Sequence, residues 1–449
     1  MQSAAPPGAP APGDWAAPAA SGPVRARLRP PGSKSVTNRA LVLAALARGA
    51  TTITGPLRAR DTELMTAALR ALGASVEEVG PDHETAAWQV TPGRPGGRAV
   101  IDVGNAGTVL RFVPPVAALA RADVEFRGDT QASMRPVAPL LAALRELGAV
   151  IDDGSRGAVP FIVRGRGGIG GGTVTLDASG SSQLVSGLLL AAPRYDKGAQ
   201  VCHRGPRVPS AQHIAMTVQM LRRAGAHVEA WNAEGESAVP DRWRVHPGEL
   251  RPGTVAVEPD LSNAAPFLAA ALVTGGSVTI ADWPAPTLQP AGQILDVLSQ
   301  MGADCSDSAD GMRVSGSGSV HGITAHLGDV AEIVPVLTAL AALADSPSVF
   351  TGIGHMRTHE TDRLAALARE IGALGGDVAE REDGLVIRPR PLRAGEDAFA
   401  TYDDHRLVMA AAVLGLALPG GLRVGNAATV GKTFPGFTRM WAGMLERSP

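Results

Sequence analysis

The sequence contains little cysteine and almost no net charge, and both shortages exclude classes of protein. Cys202 and Cys305 are the two cysteines among 449 residues, which excludes a disulfide framework and a cysteine-based metal site. This cysteine use is typical of a reducing compartment, so we expect a cytoplasmic protein. The formal net charge of −2 argues against nucleic acid as the main partner, and any cationic site must be a local cluster.

Long apolar runs are also absent. The Ala/Leu-rich stretches are short and end at glycine or proline, so we expect no membrane span. Residues 1–22 are rich in alanine and proline, but they contain neither the apolar core of a signal peptide nor an arginine-rich amphipathic pattern. We therefore expect residues 1–22 to form a disordered extension.

What the sequence does contain is an internal repeat of about 75 residues. One helical pattern closes on a small-residue turn, with glycines at positions 73, 148, 225, 302 and 375. Glycine there supplies the left-handed residue that ends a helix. A second helical pattern leads into short strands that end near Ile53, Phe126, His203, Ile280, Thr351 and Val424. Six copies account for most of the chain and divide naturally into two domains of three.

The helices of the second pattern are apolar nearly all round, which is typical of buried helices. Their polar starts are Ser33-Lys34-Ser35, Asn105-Ala106-Gly107-Thr108, Ser181-Ser182-Gln183, Leu261-Ser262-Asn263, Asp329-Val330-Ala331-Glu332 and Asp404-His405-Arg406. Capping of free N–H groups explains the Ser, Asn and Asp residues, but not the cations Lys34, Arg111 and Arg406 beside them. Helix N-termini and cations together predict a site for anions.

The stretch from 31 to 39 shows this anion-binding pattern most clearly. It begins a helix whose first turn carries two cations, Lys34 and Arg39. A phosphate-binding P-loop is excluded, because Ser33 precedes Lys34 and Leu28 occupies the position of that motif's first glycine.

Seven motifs occur in order from about residue 23 to the C-terminus. They are Pro31-Gly32-Ser33-Lys34-Ser35-Val36-Thr37-Asn38-Arg39, Gly104-Asn105-Ala106-Gly107-Thr108-Val109-Leu110-Arg111, Arg135-Pro136, Ser181-Ser182-Gln183, His359-Glu360-Thr361-Asp362-Arg363-Leu364, Asp404-His405-Arg406 and Lys432-Thr433-Phe434-Pro435. Any one motif is weak evidence. Together they resemble the signatures of the 5-enolpyruvylshikimate-3-phosphate (EPSP) synthase family.

The resemblance implies an α/β fold of the enolpyruvyl transferase type. This fold is a two-domain inside-out α/β barrel with six βαβαββ repeats, three per domain. The first, discontinuous domain would comprise residues 23–31 and 258–449 and carry the phosphoenolpyruvate-side groups. Residues 32–257 would form the second domain, with the shikimate 3-phosphate-side groups, and the two crossovers would act as a hinge. Family members are commonly monomeric.

The implied reaction transfers the enolpyruvyl group of phosphoenolpyruvate to the 5-hydroxyl of shikimate 3-phosphate and releases phosphate. It belongs to the shikimate pathway, which leads to chorismate and the aromatic amino acids. Both substrates are small polyanions, so the site must offset their repulsion with fixed cations and helix N-termini. The resemblance implies neither a metal nor an organic cofactor.

The resemblance also assigns roles to the residues at matching positions. The substrate-binding residues that it implies are Lys34, Ser35, Arg39, Asn105, Gly107, Arg135, Ser181, Ser182, Gln183, Ser210, Asp329, His359, Arg363, Arg406 and Lys432. Asp329 would be the base for the attacking hydroxyl, and Glu360 and Lys34 would move protons at phosphoenolpyruvate. Without the resemblance, Asp329 is equally well explained as a helix N-cap.

Several positions depart from the usual pattern of the family. His359 stands where lysine is most common, and an imidazole binds anions more weakly at neutral pH, so acceptor affinity should depend on pH. His355 replaces a usual asparagine, His213 a common tyrosine, Ala215 an acidic residue and Phe112 a frequent proline. Gly107 leaves room beside phosphoenolpyruvate, so we expect glyphosate to inhibit the protein.

Two short motifs admit alternative interpretations. His355 and His359 lie four residues apart, but no third ligand at a suitable spacing completes a metal site. The GxGxxG string at residues 165–170 is followed by a strand pattern, whereas a dinucleotide fingerprint requires a helix. We interpret it as a glycine-rich loop.

Two alternative functions remain. One is enolpyruvyl transfer to UDP-N-acetylglucosamine, but such enzymes usually carry a cysteine on a mobile loop, and the stretch from Gly128 to Arg135 has none. The other is a non-catalytic anion-binding repeat protein, which would tolerate loss of Asp329 and Glu360.

Overall fold

The computed structural model describes residues 13–80, 87–93, 97–233 and 239–446. The strands in this part of the chain, β1 to β22 in order, are Trp15–Ala17, Arg25–Leu28, Thr51–Thr54, Ser75–Val79, Ala87–Thr91, Ala99–Asp102, Asp123–Arg127, Val150–Asp152, Phe161–Arg164, Gly172–Leu176, Ala199–His203, Val228–Trp231, Arg242–Val245, Thr254–Ala256, Ser277–Ile280, Asp304–Ser308, Gly311–Ser315, Thr324–His326, Ser348–Thr351, Asp377–Arg381, Gly384–Arg388 and Leu422–Val424.

The α-helices, α1 to α12 in order, are Lys34–Ala45, Arg60–Ala71, Gly107–Ala117, Ala138–Glu146, Ser182–Ala191, Ala211–Arg223, Leu261–Thr274, Ala291–Gln300, Val334–Ala342, Arg363–Ala373, His405–Ala417 and Phe437–Glu446. Short 3₁₀ helices lie at Thr130–Met134, Ala192–Arg194, Ala331–Ile333, Gly354–Thr358 and Ala427–Lys432. None of the helices in the described ranges has both the length and the apolar composition to cross a membrane.

The chain divides into two compact units. The terminal unit comprises the described residues up to Pro30, residues Pro259–Ala285 and the described residues from Pro290 onward. The central unit comprises Pro31–Glu258 and Pro286–Gln289. The chain therefore leaves the terminal unit after β2 and returns to it just before α7.

The central unit contains three four-stranded sheets of one topology. Their strand orders are β14-β3-β5-β4, β6-β7-β9-β8 and β10-β11-β13-β12. In each sheet the first two strands are parallel and the remaining pairs are antiparallel. In the last two sheets, one helix connects the parallel strands and a second helix precedes the hairpin. This order is the βαβαββ unit that the resemblance implies.

The buried helices α1, α3 and α5 supply the core of the central unit. All of α3 is buried, and α1 and α5 expose little beyond their first turns. A helix with apolar residues on every side is stable only when other elements surround it, and here the outer helices and sheets do so. The helix N-termini, where polar residues concentrate, are therefore fixed by the core.

The terminal unit repeats this plan with one abbreviated copy. Its two four-stranded sheets have the orders β16-β17-β15-β2 and β18-β19-β21-β20. The third sheet is smaller: β22 pairs antiparallel with β1, and Phe399 forms a parallel bridge with Val424. The buried helices of this unit are α7, α9 and α11.

The prediction of a disordered extension over residues 1–22 is wrong for its second half. Strand β1 pairs with β22, Ala17 is 1% exposed, and the ring of Trp15 packs edge-on against Phe437 at 6.1 Å. These partners lie some 400 positions further along the chain, so local composition gives no sign of them. Residues 1–12 lie outside the described residues.

The predicted repeat is visible in the backbone. The five turn glycines have φ values of +93°, +104°, +91°, +104° and +91°, so each is the left-handed residue after its helix. One helix start differs from the prediction, because α9 begins at Val334 after a 3₁₀ turn and not near Asp329. Pro335 has no N–H, so it cannot close an α-helical bond to Ala331 and the preceding turn tightens.

Candidate active site

In the central unit, side-chain hydrogen bonds join the N-terminal parts of α1, α3 and α5. The Asn38 amide donates to the hydroxyl of Thr108 at 2.7 Å, which links α1 to α3. The Arg111 guanidinium donates to the side-chain oxygen of Gln183 at 3.0 Å, which links α3 to α5. The three polar helix starts of this unit are therefore held together.

The Arg39 side chain is buried and bonded in several directions. It donates to the hydroxyl of Thr217 at 2.7 Å and to the backbone carbonyls of Ser35 and His213. Its guanidinium also lies 5.0 Å from the ring centroid of Phe112. Burial lowers the pKa of Arg39 to about 9. These contacts fix the first turn of α1 against α6, so Arg39 has a structural role whatever else it contacts.

Arg135 and Gly107 lie against each other. The Arg135 guanidinium donates to the backbone carbonyl of Asn105 at 2.9 Å, just before α3 begins. A β-carbon placed on Gly107 would lie 2.8 Å from Nη2 of Arg135 and 2.9 Å from Nη1 of Arg111. Glycine is thus the residue that lets two guanidinium groups approach the start of α3.

Lys34 has a buried acidic partner that sequence analysis did not identify. Its ammonium lies 3.3 Å from the carboxylate of Asp61, whose side chain is only 3% exposed. Asp61 stands in the first turn of α2, where an acidic residue is normally explained by the helix dipole alone. Its sequence position therefore gives no signal of a contact with Lys34.

The predicted serines occupy helix starts in the central unit. Ser181 caps α5, accepting a hydrogen bond from the backbone N–H of Gln183 at 3.3 Å, and Ser182 is buried behind it. Ser35 lies in the first turn of α1, and Ser210 precedes α6 in a left-handed conformation with φ of +49°. A serine in that conformation is strained and presents its neighbouring N–H groups in a fixed direction.

In the terminal unit, Arg363 is the centre of a buried ionic network. Its guanidinium donates to both oxygens of Asp404, at 2.7 and 3.2 Å, and to Glu360 at 2.9 Å. Glu332 lies 3.7 Å away. Burial alone would lower the pKa of Arg363, but these carboxylates outweigh it and raise the pKa above its usual value.

Glu360 bridges two cations. One carboxylate oxygen accepts from Arg363, and the other accepts from the ammonium of Lys432 at 2.9 Å. The side chains of Glu360 and Lys432 are 7% and 6% exposed. Lys432 ends a 3₁₀ helix, whereas Glu360 precedes α10, so only the fold brings the two groups together.

Arg406 connects the starts of the buried helices in the terminal unit. It donates to the side-chain oxygen of Asn263 in α7 at 3.1 Å and lies 3.4 Å from Glu332. Its backbone N–H donates to Asp404, which caps α11. The cations thus have fixed positions before any ligand arrives.

The two histidines before α10 have low pKa values. Loss of hydration and the neighbouring charge of Arg363 hold the pKa of His359 well below its usual range. Burial lowers the pKa of His355 to about 4. The Arg363 guanidinium lies 3.0 Å from Nδ1 of His359, so Nδ1 of a neutral imidazole accepts a hydrogen bond from Arg363. The pH dependence expected at His359 therefore moves to acidic pH.

Asp329 lies outside the helices, in the segment that leads into α9. It is half-buried and precedes the 3₁₀ turn Ala331–Ile333 by two residues. Glu332, on that turn, contacts both Arg363 and Arg406. The sequence shows both acids near one helix start but gives no sign of these contacts of Glu332.

Comparisons with known proteins agree over nearly the whole chain. A family model described as EPSP synthase (3-phosphoshikimate 1-carboxyvinyltransferase) matches residues 18–441. A 3-phosphoshikimate 1-carboxyvinyltransferase from Mycobacterium ulcerans (strain Agy99) is 49% identical over 440 residues, 97% of this chain and 98% of the relative.

Two solved structures extend the agreement to the fold. EPSP synthase from Acinetobacter baumannii is 25% identical with a TM-score of 0.76, covering 97% of this chain and 98% of that one. The enolpyruvyl transferase NikO from Streptomyces tendae is 16% identical with a TM-score of 0.70, covering 95% and 96% of the two chains. The latter likeness shows the fold alone.

Proposed function

This chain belongs to the EPSP synthase family, and we propose how its residues perform the reaction of that family. It has the two-domain inside-out α/β barrel fold. It is a transferase that moves the enolpyruvyl group of phosphoenolpyruvate to the 5-hydroxyl of shikimate 3-phosphate, releases phosphate and serves the shikimate pathway.

Phosphoenolpyruvate is assigned to a set of cations with fixed positions and to one glycine beside them. The residues proposed to bind it are Lys34, Arg135, Arg363, Arg406 and Lys432, together with Gly107. Arg363 and Arg406 are buried and already oriented by carboxylates, so binding an anion requires little reorganisation. Their planar guanidinium groups suit the carboxylate and phosphate groups of this substrate.

Shikimate 3-phosphate is assigned to the helix starts and hydroxyls. The residues proposed to bind it are Lys34, Ser35, Arg39, Asn105, Ser181, Ser182, Gln183, Ser210, Asp329 and His359. Ser181 and Ser182 stand at the N-terminus of α5, where the helix dipole favours a phosphate. Arg39 acts through its charge and by holding the first turn of α1 in place.

The chemistry requires a balanced movement of protons. The acceptor oxygen bonds to the central carbon of phosphoenolpyruvate while its methylene carbon gains a proton; loss of that proton then expels phosphate. Asp329 takes the proton of the attacking hydroxyl. Glu360 and Lys34 move the proton to and from the methylene carbon. The ammonium of Lys432 lies beside Glu360 and the carboxylate of Asp61 lies beside Lys34, so each of the two groups contacts an opposite charge.

The observation that carries the catalytic assignment is the position of Glu360. Burying a carboxylate between two cations costs desolvation energy. Such buried charged groups are concentrated at active sites, where they transfer protons or stabilise charge. The test is phosphate release from phosphoenolpyruvate by the purified protein, with either shikimate 3-phosphate or UDP-N-acetylglucosamine added. Release that requires shikimate 3-phosphate is expected. Phosphate release only with the nucleotide sugar, or no release with either acceptor, would overturn the assignment.

We also propose that the protein acts as a cytoplasmic monomer. Family members are commonly monomeric, and both cysteines, Cys202 and Cys305, are free thiols, which suits a reducing compartment. Light scattering coupled to size exclusion measures the molar mass, and a value near 45.9 kDa is expected.

A further inference from the structure

A group of potential metal ligands lies at the end of the β12–β13 ladder and includes none of the residues assigned above. Nitrogen atoms of His227 and His246 and an oxygen of Glu229 all lie within 4.8 Å of one another. Among the described residues, this is the one group of three or more His, Cys, Asp or Glu side chains with such spacing. We propose that it binds a divalent transition-metal ion.

The antiparallel register places the three side chains on one face. Val228 is opposite Val245, so His227 and His246 flank the end of the ladder, where the N–H of His246 donates to the carbonyl of His227 at 3.1 Å. Glu229 follows His227 by two residues and therefore shares its face. The alternate residues on these strands, such as Val228 and Val245, are buried, so the ligand face is turned to solvent. An ion can reach the site without opening the core.

The distances require only small movements to hold an ion. Nε2 of His246 is 2.6 Å from Glu229, and the two imidazole rings are stacked with centroids 4.3 Å apart. Zn²⁺ binds nitrogen and oxygen at about 2.0–2.2 Å, which places tetrahedral ligands about 3.3 Å apart. The carboxylate and His246 must therefore separate slightly, and the stacked rings must tilt toward one point. The ion then occupies the place of the proton that joins Glu229 to His246.

The donor set selects the class of ion. Two imidazoles and one carboxylate suit Zn²⁺, Cu²⁺, Ni²⁺ or Co²⁺, whereas Mg²⁺ and Ca²⁺ prefer sets made of oxygen. Three protein ligands leave a fourth tetrahedral position for water.

Arg244 opposes the ion and provides a way to test the site. It stands directly opposite Glu229 in the register, and its charge stabilises the same carboxylate. A bound cation would meet repulsion from this guanidinium. Removing the charge in Arg244→Gln should therefore tighten metal binding, an effect that a loss of folding cannot imitate.

The experiment is a calorimetric titration of the metal-free full chain with Zn²⁺ and, separately, with Mg²⁺. One equivalent of Zn²⁺ should bind and Mg²⁺ should not. His227→Ala and His246→Ala should each weaken Zn²⁺ binding by at least about 10-fold, the loss that even outer-shell substitutions cause. His321→Ala is the matched control, because His321 forms an exposed pair with Asp345 at 2.7 Å that lacks a second imidazole.

The outcomes separate the proposal from its rivals. Bound Zn²⁺ should also raise the unfolding temperature of the wild-type chain but not of His246→Ala, because the ion joins two strands. If His321→Ala abolished Zn²⁺ binding, or if neither His227→Ala nor His246→Ala weakened it, the ion would bind elsewhere and the proposal would be overturned. Absence of Zn²⁺ binding to the wild-type chain would also overturn it, and the three side chains would then be an ion pair beside a stacked ring. Transferase activity in His227→Ala should match that of the wild type.

Discussion

Lys34 and Asp61 form an ion pair at 3.3 Å in which the carboxylate is almost completely buried and the ammonium remains partly accessible. Lys34 places a cation at the start of α1, and the buried carboxylate of Asp61 holds its ammonium group in position. A lysine held in this way cannot fold back into solvent, so its charge stays where an anion can use it. The first two predictions concern buried pairs of this kind.

Lys34→Ala should lower kcat/KM by about 100- to 1000-fold, the usual loss when one preorganised charged donor is removed. It also leaves the buried carboxylate of Asp61 without its cation, so the free energy of unfolding should fall. The double variant Lys34→Ala/Asp61→Asn should recover most of that stability and none of the activity. Denaturant unfolding and steady-state kinetics check both parts. Recovered activity in the double variant would contradict a role in substrate binding.

Glu360→Gln should reduce kcat by about 100- to 10,000-fold and cost less stability than Glu360→Ala, since the amide oxygen can still accept from one of the two cations, Lys432 or Arg363, although its NH2 group cannot accept from the other. Glu360→Ala removes the carboxylate altogether, which leaves two buried cations without their shared partner and should cost about 3–5 kcal/mol of stability. Thermal unfolding of both variants separates these effects. Equal activity in Glu360→Gln and the wild type would rule out proton transfer by this residue.

Gly107→Ala should raise the KM for phosphoenolpyruvate and weaken inhibition by glyphosate. The added methyl group would lie under 3 Å from the guanidinium groups of Arg135 and Arg111, so both must move. Gly49→Ala is the control, because a β-carbon there meets nothing within 4 Å. Inhibition assays against glyphosate test both variants and the wild type, whose sensitivity is itself a prediction. A wild-type enzyme that millimolar glyphosate leaves unaffected would show that the space beside Gly107 does not admit the compound.

His355 should make the fold sensitive to mild acid. Its folded pKa of about 4 lies below its usual value near 6.5, so the unfolded chain binds the proton more readily. The contribution of the neutral His355 to the free energy of unfolding is fully present above pH 6.5 and is lost as the pH falls toward 4. The total loss is about 3 kcal/mol. His355→Asn, with the side chain usual in the family, should flatten this part of the pH profile. Unfolding free energies measured from pH 7 to pH 4 decide it, and identical slopes for the two proteins would refute the assignment.

Trp15→Ala should destabilise the terminal unit. The indole packs on Phe437, and its strand pairs with β22, so its loss should cost about 2 kcal/mol, less than a fully buried tryptophan. Ala16→Ser is the comparison, because Ala16 is exposed on the same strand. Denaturant unfolding measures both. If the two variants were equally stable, the indole of Trp15 would contribute nothing to the stability of the unit.

The sequence by itself determined the repeat, the buried helices and their polar starts. Periodicity and glycine spacing are local properties, and the left-handed glycines at 73, 148, 225, 302 and 375 follow directly from them. The charged motifs were equally visible, because a lysine or arginine at the start of an apolar helix needs no tertiary information to be noticed. The family resemblance supplied the reaction and the substrates.

The tertiary structure alone decided which charges meet. Asp61 lies 27 positions after Lys34, and Lys432 lies 72 positions after Glu360, and neither spacing distinguishes a partner from a solvated side chain. The low pKa values of His355 and His359 depend on burial beside Arg363, and β1 depends on a strand near the other end of the chain. Such effects arise from distances and dehydration, which composition and periodicity do not contain. The helices can be predicted from the sequence because they form locally, whereas the electrostatics of the candidate site had to be read from the folded chain.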